Sequence, residues 1–229
     1  MSKPDLTPEV LAKYFDHTQL KAYAAKADIE KLCDEARRYG FAMVAVNSVQ
    51  VPLCGELLRG CDVHVGAAIS FPLGQTTVEA KLFETRDALA KGADEIDYVV
   101  NLTELKSGNL AYVEDEMRRI VAVCREKGAV SKVIFETCYL TDDEKKALCE
   151  VALKVLPDYV KTSTGFGTGG ATLGDLRLMK SMVGDAIKVK ASGGVHTLEM
   201  ALQCVEIGVS RIGSSASVAI VDAYRGSLQ

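Results

Sequence analysis

Short apolar runs and longer amphipathic stretches alternate along most of the chain. Seven runs read as strands: FAMVAVN (41–47), DVHVGAAIS (62–70), EIDYVVN (95–101), KVIFET (132–137), DYVKTS (158–163), IKVKAS (187–192) and SRIGSS (210–215). Runs this short and this apolar predict a parallel sheet covered on both faces. The stretches between them carry helix start and stop signals. TTVEAKLFETRDALAKG (76–92) opens with threonine and closes at Gly92. NLAYVEDEMRRIVAVCREKG (109–128) ends in basic residues and Gly128, which suits the helix dipole. TDDEKKALCEVALKVLP (141–157) opens with a capping box, Thr141 and Glu144, and stops at Pro157. DHTQL (16–20) is an eighth strand candidate, too polar to assign from periodicity alone. Eight strands separated by helices predict the α/β class and a single (β/α)8 TIM barrel over residues 1–229. A doubly wound sheet is the rival.

Composition narrows the chemistry. The chain is 48% hydrophobic and 25% charged, with net charge −4 and no long block of either sign. Nothing attracts nucleic acid or an anionic membrane non-specifically, so any phosphate site must be local. Seven cysteines without a C-x-x-C, and histidines scattered at 17, 64 and 196, argue against a disulfide framework or a metal centre. The N-terminus lacks the apolar core of a signal peptide, and no apolar run reaches the roughly 18 residues of a membrane span. A reducing cytoplasm is expected.

Barrel active sites sit at the C-terminal ends of the strands. Those ends are polar here: Asn47, Ser70, Asn101, Glu136, Thr162, Ser192 and Ser214 among them. Three charges fall inside the apolar runs instead: Asp97 in EIDYVV, Lys161 in DYVKTS and Lys190 in IKVKAS. Period two puts Asp97 opposite Ile96 and Tyr98, and the apolar face belongs against the helices. Asp97, Lys161 and Lys190 should therefore point into the barrel. Two lysines held together cannot both keep their protons easily. Lowering one by about 3 pKa units takes roughly 4 kcal/mol, which burial and a second ammonium can supply. The product is a nucleophilic amine suited to a Schiff base, carried by either lysine. By the same parity Glu95 and Lys188 face inward one layer deeper, as an expected buried pair.

Two glycine-rich strand ends suggest phosphate. ASGGVHT (191–197) carries Gly193 and Gly194, and RIGSSAS (211–217) carries Gly213, Ser214 and Ser215. Glycines permit close backbone approach, helix N-termini bind anions, and barrels often place phosphate after their last two strands. A third stretch, GFGTGG from Gly165 to Gly170, matches the dinucleotide pattern G-x-G-x-x-G, with Asp185 following 20 positions after Gly165. That acidic residue precedes the next strand rather than ending it, which disfavours a dinucleotide site.

DHTQLK (16–21), DEIDYVVN (94–101), KVIFETCYLTDDEK (132–145), VKTSTGFGTGGAT (160–172), VKASGGVHT (189–197) and RIGSSA (211–216) together resemble the deoxyribose-phosphate aldolase family. The matches are in order and span almost the whole chain. The resemblance implies a (β/α)8 aldolase domain and a lyase without metal or other cofactor. Through a Schiff base it would cleave 2-deoxy-D-ribose 5-phosphate reversibly to D-glyceraldehyde 3-phosphate and acetaldehyde, in deoxyribose phosphate catabolism. It implies Lys161 as nucleophile, Lys190 as the lysine that tunes it and Asp97 as the proton carrier. Phosphate would fall to Gly165, Gly193, Gly194, Gly213, Ser214 and Ser215. Homodimer and homotetramer both stay open, with no nucleic acid or membrane partner. Two departures stand out. Ala45-Val46-Asn47-Ser48 replaces the family's frequent C-V-N-P, and His196 replaces the arginine that often follows the glycine pair. A fixed charge near the phosphate is thus missing or pH-dependent. Rival readings are another phosphosugar enzyme on the same barrel, a nucleotide-binding regulatory module, and a catalytically dead barrel.

Overall fold

The strand too polar to assign is the one that closes the sheet. In the computed structural model, which describes residues 6–228, β1 (Phe15–Gln19) pairs in parallel with both β2 (Met43–Asn47) and β8 (Arg211–Ser214). Between them run β3 (His64–Ile69), β4 (Glu95–Val99), β5 (Val130–Ile134), β6 (Tyr159–Lys161) and β7 (Lys188–Ser192), and the order around the closed barrel is the chain order. The doubly wound alternative is thereby set aside. The strands differ from their apolar runs at the ends. β3, β4, β5, β6 and β8 stop before the last polar residues, which turn into the loops, whereas β2 and β7 keep Asn47 and Ser192 and begin later, and β5 begins earlier, at Val130.

The helices follow their terminal signals. α1 (Pro8–Ala12) precedes the barrel, followed by α2 (Lys26–Tyr39), α3 (Val51–Leu57) and α4 (Val78–Ala90). Next come α5 (Leu102–Lys106), α6 (Leu110–Glu126) and α7 (Asp142–Val155). α8 (Leu173–Val183), α9 (Leu198–Ile207) and α10 (Ser217–Ser227) complete the ring. The capping box of α7 forms as expected, with Thr141 and Glu144 bonding reciprocally.

The outward faces of the strands are apolar and fully buried under this ring, with Val44, Val65, Ile96, Val133, Val160 and Val189 among them. The inward face is the unusual one. It carries charge through the middle of the barrel, where most proteins of this class stack branched aliphatics. Met43 and Gly66 are small exceptions: a Cβ on Gly66 would lie 2.3 Å from the Met43 sulfur, so the glycine makes room for the thioether.

Candidate active site

Register brings the charges together. Asp97 lies level with Lys132 across β4 and β5, Lys161 with Lys190 across β6 and β7, and Lys190 with Arg211 across β7 and β8. All these side chains point inward. Oδ2 of Asp97 accepts from both Lys161 Nζ and Lys190 Nζ at 2.7 Å, and Oδ1 accepts from Lys132 Nζ at 2.7 Å. The expected trio of Asp97, Lys161 and Lys190 is therefore assembled in the barrel, each residue buried.

Five further residues complete the network. Asp16 of β1 pairs with Lys190 and, at 2.5 Å, with Arg211 Nη1. Lys132 also pairs with Glu95, whose Oε1 accepts from His64 at 2.7 Å and from Arg211 at 3.1 Å. Sequence reasoning passes over Asp16, Lys132 and Arg211. Asp16 stands in a run too polar to read, and Lys132 reads as a strand start although it is the middle residue of β5. The expected Glu95–Lys188 pair does not form. Lys188 opens β7 at the rim and is exposed, its ammonium 5.4 Å from the Tyr159 ring, and Lys132 is the cation that meets Glu95.

Counting charge explains the electrostatics. Asp16, Glu95 and Asp97 face Lys132, Lys190 and Arg211, three against three, so a protonated Lys161 is the surplus cation in a buried space. Burial lowers Lys161 first, Asp97 partly restores it, and Lys190 and Lys132 lower it again, leaving it at about 8. Burial opposes ionisation of Asp97 too, but its three ammonium neighbours hold it well below the usual carboxylate range. Glu95 is likewise held down by Lys132, His64 and Arg211 against the effect of burial. Lys132 is pushed up, because Asp97, Glu95 and Asp16 outweigh its desolvation.

Above this cluster opens a cavity of about 220 Å³ at the C-terminal end of the barrel, with Lys161 on its lining. Gly165, Gly193, Gly194, Gly213, Ser214 and Ser215 all line it, so the strand-end glycines and serines converge on one space. The Ser214 hydroxyl donates to Val195 O at 2.6 Å and accepts from Ala216 N at 2.9 Å. It fixes its own loop, which leaves the backbone as the freer donor to a ligand. His196 is exposed on the same lining. Ala45, from the segment where the family often has cysteine, lies there as well.

The glycines after Lys161 serve this cavity by close packing. A Cβ on Gly170 would sit 2.3 Å from Gly193 O, and Ala171 N donates to that oxygen at 2.9 Å. The loop after β6 is thus laid directly on the loop after β7. Asp185 is fully solvent-exposed and lies before β7, at the end of the strand away from the cavity. A dinucleotide site of the expected form is absent from these elements. Glu136, buried at φ 55, accepts from Thr164 N at 3.1 Å and from the Thr164 hydroxyl, and so pins the start of the same glycine loop.

Known proteins share this fold and much of this sequence. A model of the DeoC/LacD family of aldolases matches residues 10–215. The deoxyribose-phosphate aldolase of Lactobacillus acidophilus is 52% identical over 96% of this chain and 92% of its own. That of Thermococcus gammatolerans is 53% identical over 95% and 97%. Among solved structures, a putative deoxyribose-phosphate aldolase from Coccidioides immitis superposes with TM-score 0.93 at 36% identity, covering 97% of this chain and 88% of its own. The enzyme from Aeropyrum pernix, described as a tetramer, superposes with TM-score 0.90 at 32% identity, covering 96% and 93%. The buried lysines and the glycine cavity above them thus sit in a chain that belongs to the DeoC/LacD family of aldolases.

Proposed function

We propose that the protein is a deoxyribose-phosphate aldolase that works through a Schiff base on Lys161. The observation that carries this is the shared oxygen of Asp97: two buried lysines compete for it, and the one that lines the cavity is lowered to about 8. A fraction of Lys161 is then free amine at neutral pH, which an ordinary lysine is not.

The amine adds to the C1 aldehyde of open-chain 2-deoxyribose 5-phosphate, and loss of water gives a protonated imine. Asp97 and Lys190 move the protons this requires. The C3 hydroxyl loses its proton, the C2–C3 bond breaks, and its electron pair flows into the iminium. D-glyceraldehyde 3-phosphate leaves. The enamine that remains takes a proton at C2, and water hydrolyses the imine to acetaldehyde and free Lys161. The iminium is the electron sink, so the scheme invokes no metal or other cofactor. The phosphate lies toward the backbone of Gly165, Gly193, Gly194 and Gly213, with Ser214 and Ser215 beside it. The tetrameric relative favours a homotetramer over a homodimer, which light scattering would decide.

The test is direct. The protein should release acetaldehyde from deoxyribose 5-phosphate in the presence of a chelator. Borohydride with acetaldehyde should fix an adduct on Lys161, and Lys161→Ala should abolish both. An adduct mapped to Lys190 would reverse the assignment of the two lysines.

A further inference from the structure

The cavity has glycine N–H groups for an anion but few charges. Three ionisable side chains line it: Lys161, committed to Asp97 at its inner end, His196, and Lys21. Lys21 follows β1, and β1 is hydrogen-bonded to β8 with His17 level with Ser214. The chain beyond β1 therefore rises beside the chain beyond β8, and Lys21 shares its cavity wall with Ser214 and Ser215.

The backbone there is tied down. Lys21 N donates to Gln19 Oε1 at 3.3 Å, and Asn47 Nδ2 reaches across from β2 to Leu20 O at 3.3 Å. The Lys21 side chain is free by contrast. It is exposed, its ammonium rests 5.8 Å from the Tyr23 ring, and among the described residues it has no carboxylate partner. A phosphate monoester carries about −1.5 to −2 charge at neutral pH, and a flexible ammonium meets it as a point charge.

We infer that Lys21 is the cation that binds the substrate's phosphate, reaching over the cavity from the loop after β1; this rests on the phosphosugar reading above. No ion pair has to break for it to do so.

Inorganic phosphate is the probe, followed by calorimetry, with acetaldehyde trapping on Lys161 as the check that the site is intact. Lys21→Met should weaken phosphate binding about tenfold, the loss expected for one charge-assisted contact. Lys21→Arg should restore it to within about twofold, since the guanidinium keeps the charge. Trapping should persist in both variants, because acetaldehyde has no phosphate. Phosphate that binds Lys21→Met as tightly as the unaltered protein, or that fails to bind the unaltered protein, overturns the inference. If phosphate binding depends on Lys21 but deoxyribose 5-phosphate yields no acetaldehyde, the inference stands and the reaction assigned above falls.

Discussion

Lys161 and Lys190 are register partners on β6 and β7, and their nitrogens meet at one carboxylate oxygen, each 2.7 Å from Oδ2 of Asp97. One oxygen cannot satisfy two ammonium groups as fully as one. The imbalance acts on Lys161, which lies nearer the cavity. Replacing Lys190 by Met removes a neighbouring positive charge that lowers Lys161, while burial, the larger cause, stays. The borohydride trapping rate with acetaldehyde should then shift to higher pH by about one unit, so that trapping at pH 7 slows about tenfold. An unshifted profile would mean that Lys190 does not tune the amine.

In the unaltered protein the same amine sets the pH dependence. Lys161 is reactive only when deprotonated, and its value of about 8 places the change there. The value of kcat/KM should rise about tenfold per pH unit below 8 and flatten above it. Rates that are level from pH 6 to 9 would show that another step or group governs the reaction.

Lys132 should matter for stability as much as for chemistry. It is fully buried and holds Asp97 and Glu95 together. Lys132→Met leaves both carboxylates short of a cation, a change that costs about 3–5 kcal/mol in buried pairs. Lys188→Met at the exposed rim should stay within about 0.5 kcal/mol. Chemical denaturation of the two variants checks the contrast.

What the chain reveals in advance follows from contrast. Asp97, Lys161 and Lys190 stand out because each interrupts an apolar run. Asp16 does not, since its neighbours His17, Thr18 and Gln19 are polar too and no contrast exists. Lys132 is hidden differently. Gly128 and Ser131 draw the eye to a later strand start, and a lysine at a strand start reads as solvated. Period two places Lys188 on the inner face correctly, but parity says nothing about height, and the first residue of β7 emerges into solvent. Which cation meets Glu95 depends on the stagger between β4, β5 and β8, a property of barrel closure that no single segment encodes. The cavity loops are legible because glycine and serine recur at adjacent strand ends.

His64 links the charge network to bulk pH. Its Nδ1 lies 2.7 Å from Glu95 Oε1, and this hydrogen bond raises its pKa above 6.5 against a smaller effect of burial. The folded protein therefore holds the proton more tightly than the unfolded chain. The stabilisation is fully present below pH 6.5 and fades as pH rises through the raised value. The half-exposed ring limits its size. The difference in melting temperature between the unaltered protein and His64→Ala should be largest near pH 6 and shrink toward pH 9. A difference that grows with pH would reverse the sign argued here.

Gly170 tests whether the glycines after Lys161 act by packing. Its Cβ would fall 2.3 Å from Gly193 O and 3.0 Å from Gly194 N, both backbone atoms that cannot step aside alone. Gly170→Ala must push the two cavity loops apart. The expected cost is about 1–3 kcal/mol, as for other overpacked sites. KM for deoxyribose 5-phosphate should rise with it, because Gly193 and Gly194 line the cavity. Trapping of acetaldehyde should survive, since Lys161 is held from β6 and not from this loop. Gly55 supplies the control. It lies in α3, and a Cβ added there would meet nothing within 4 Å, so Gly55→Ala should instead stabilise by about 0.5–1 kcal/mol through helix propensity. Equal effects at the two sites in denaturant melts would show that chain flexibility, and not contact between the loops, is what Gly170 provides.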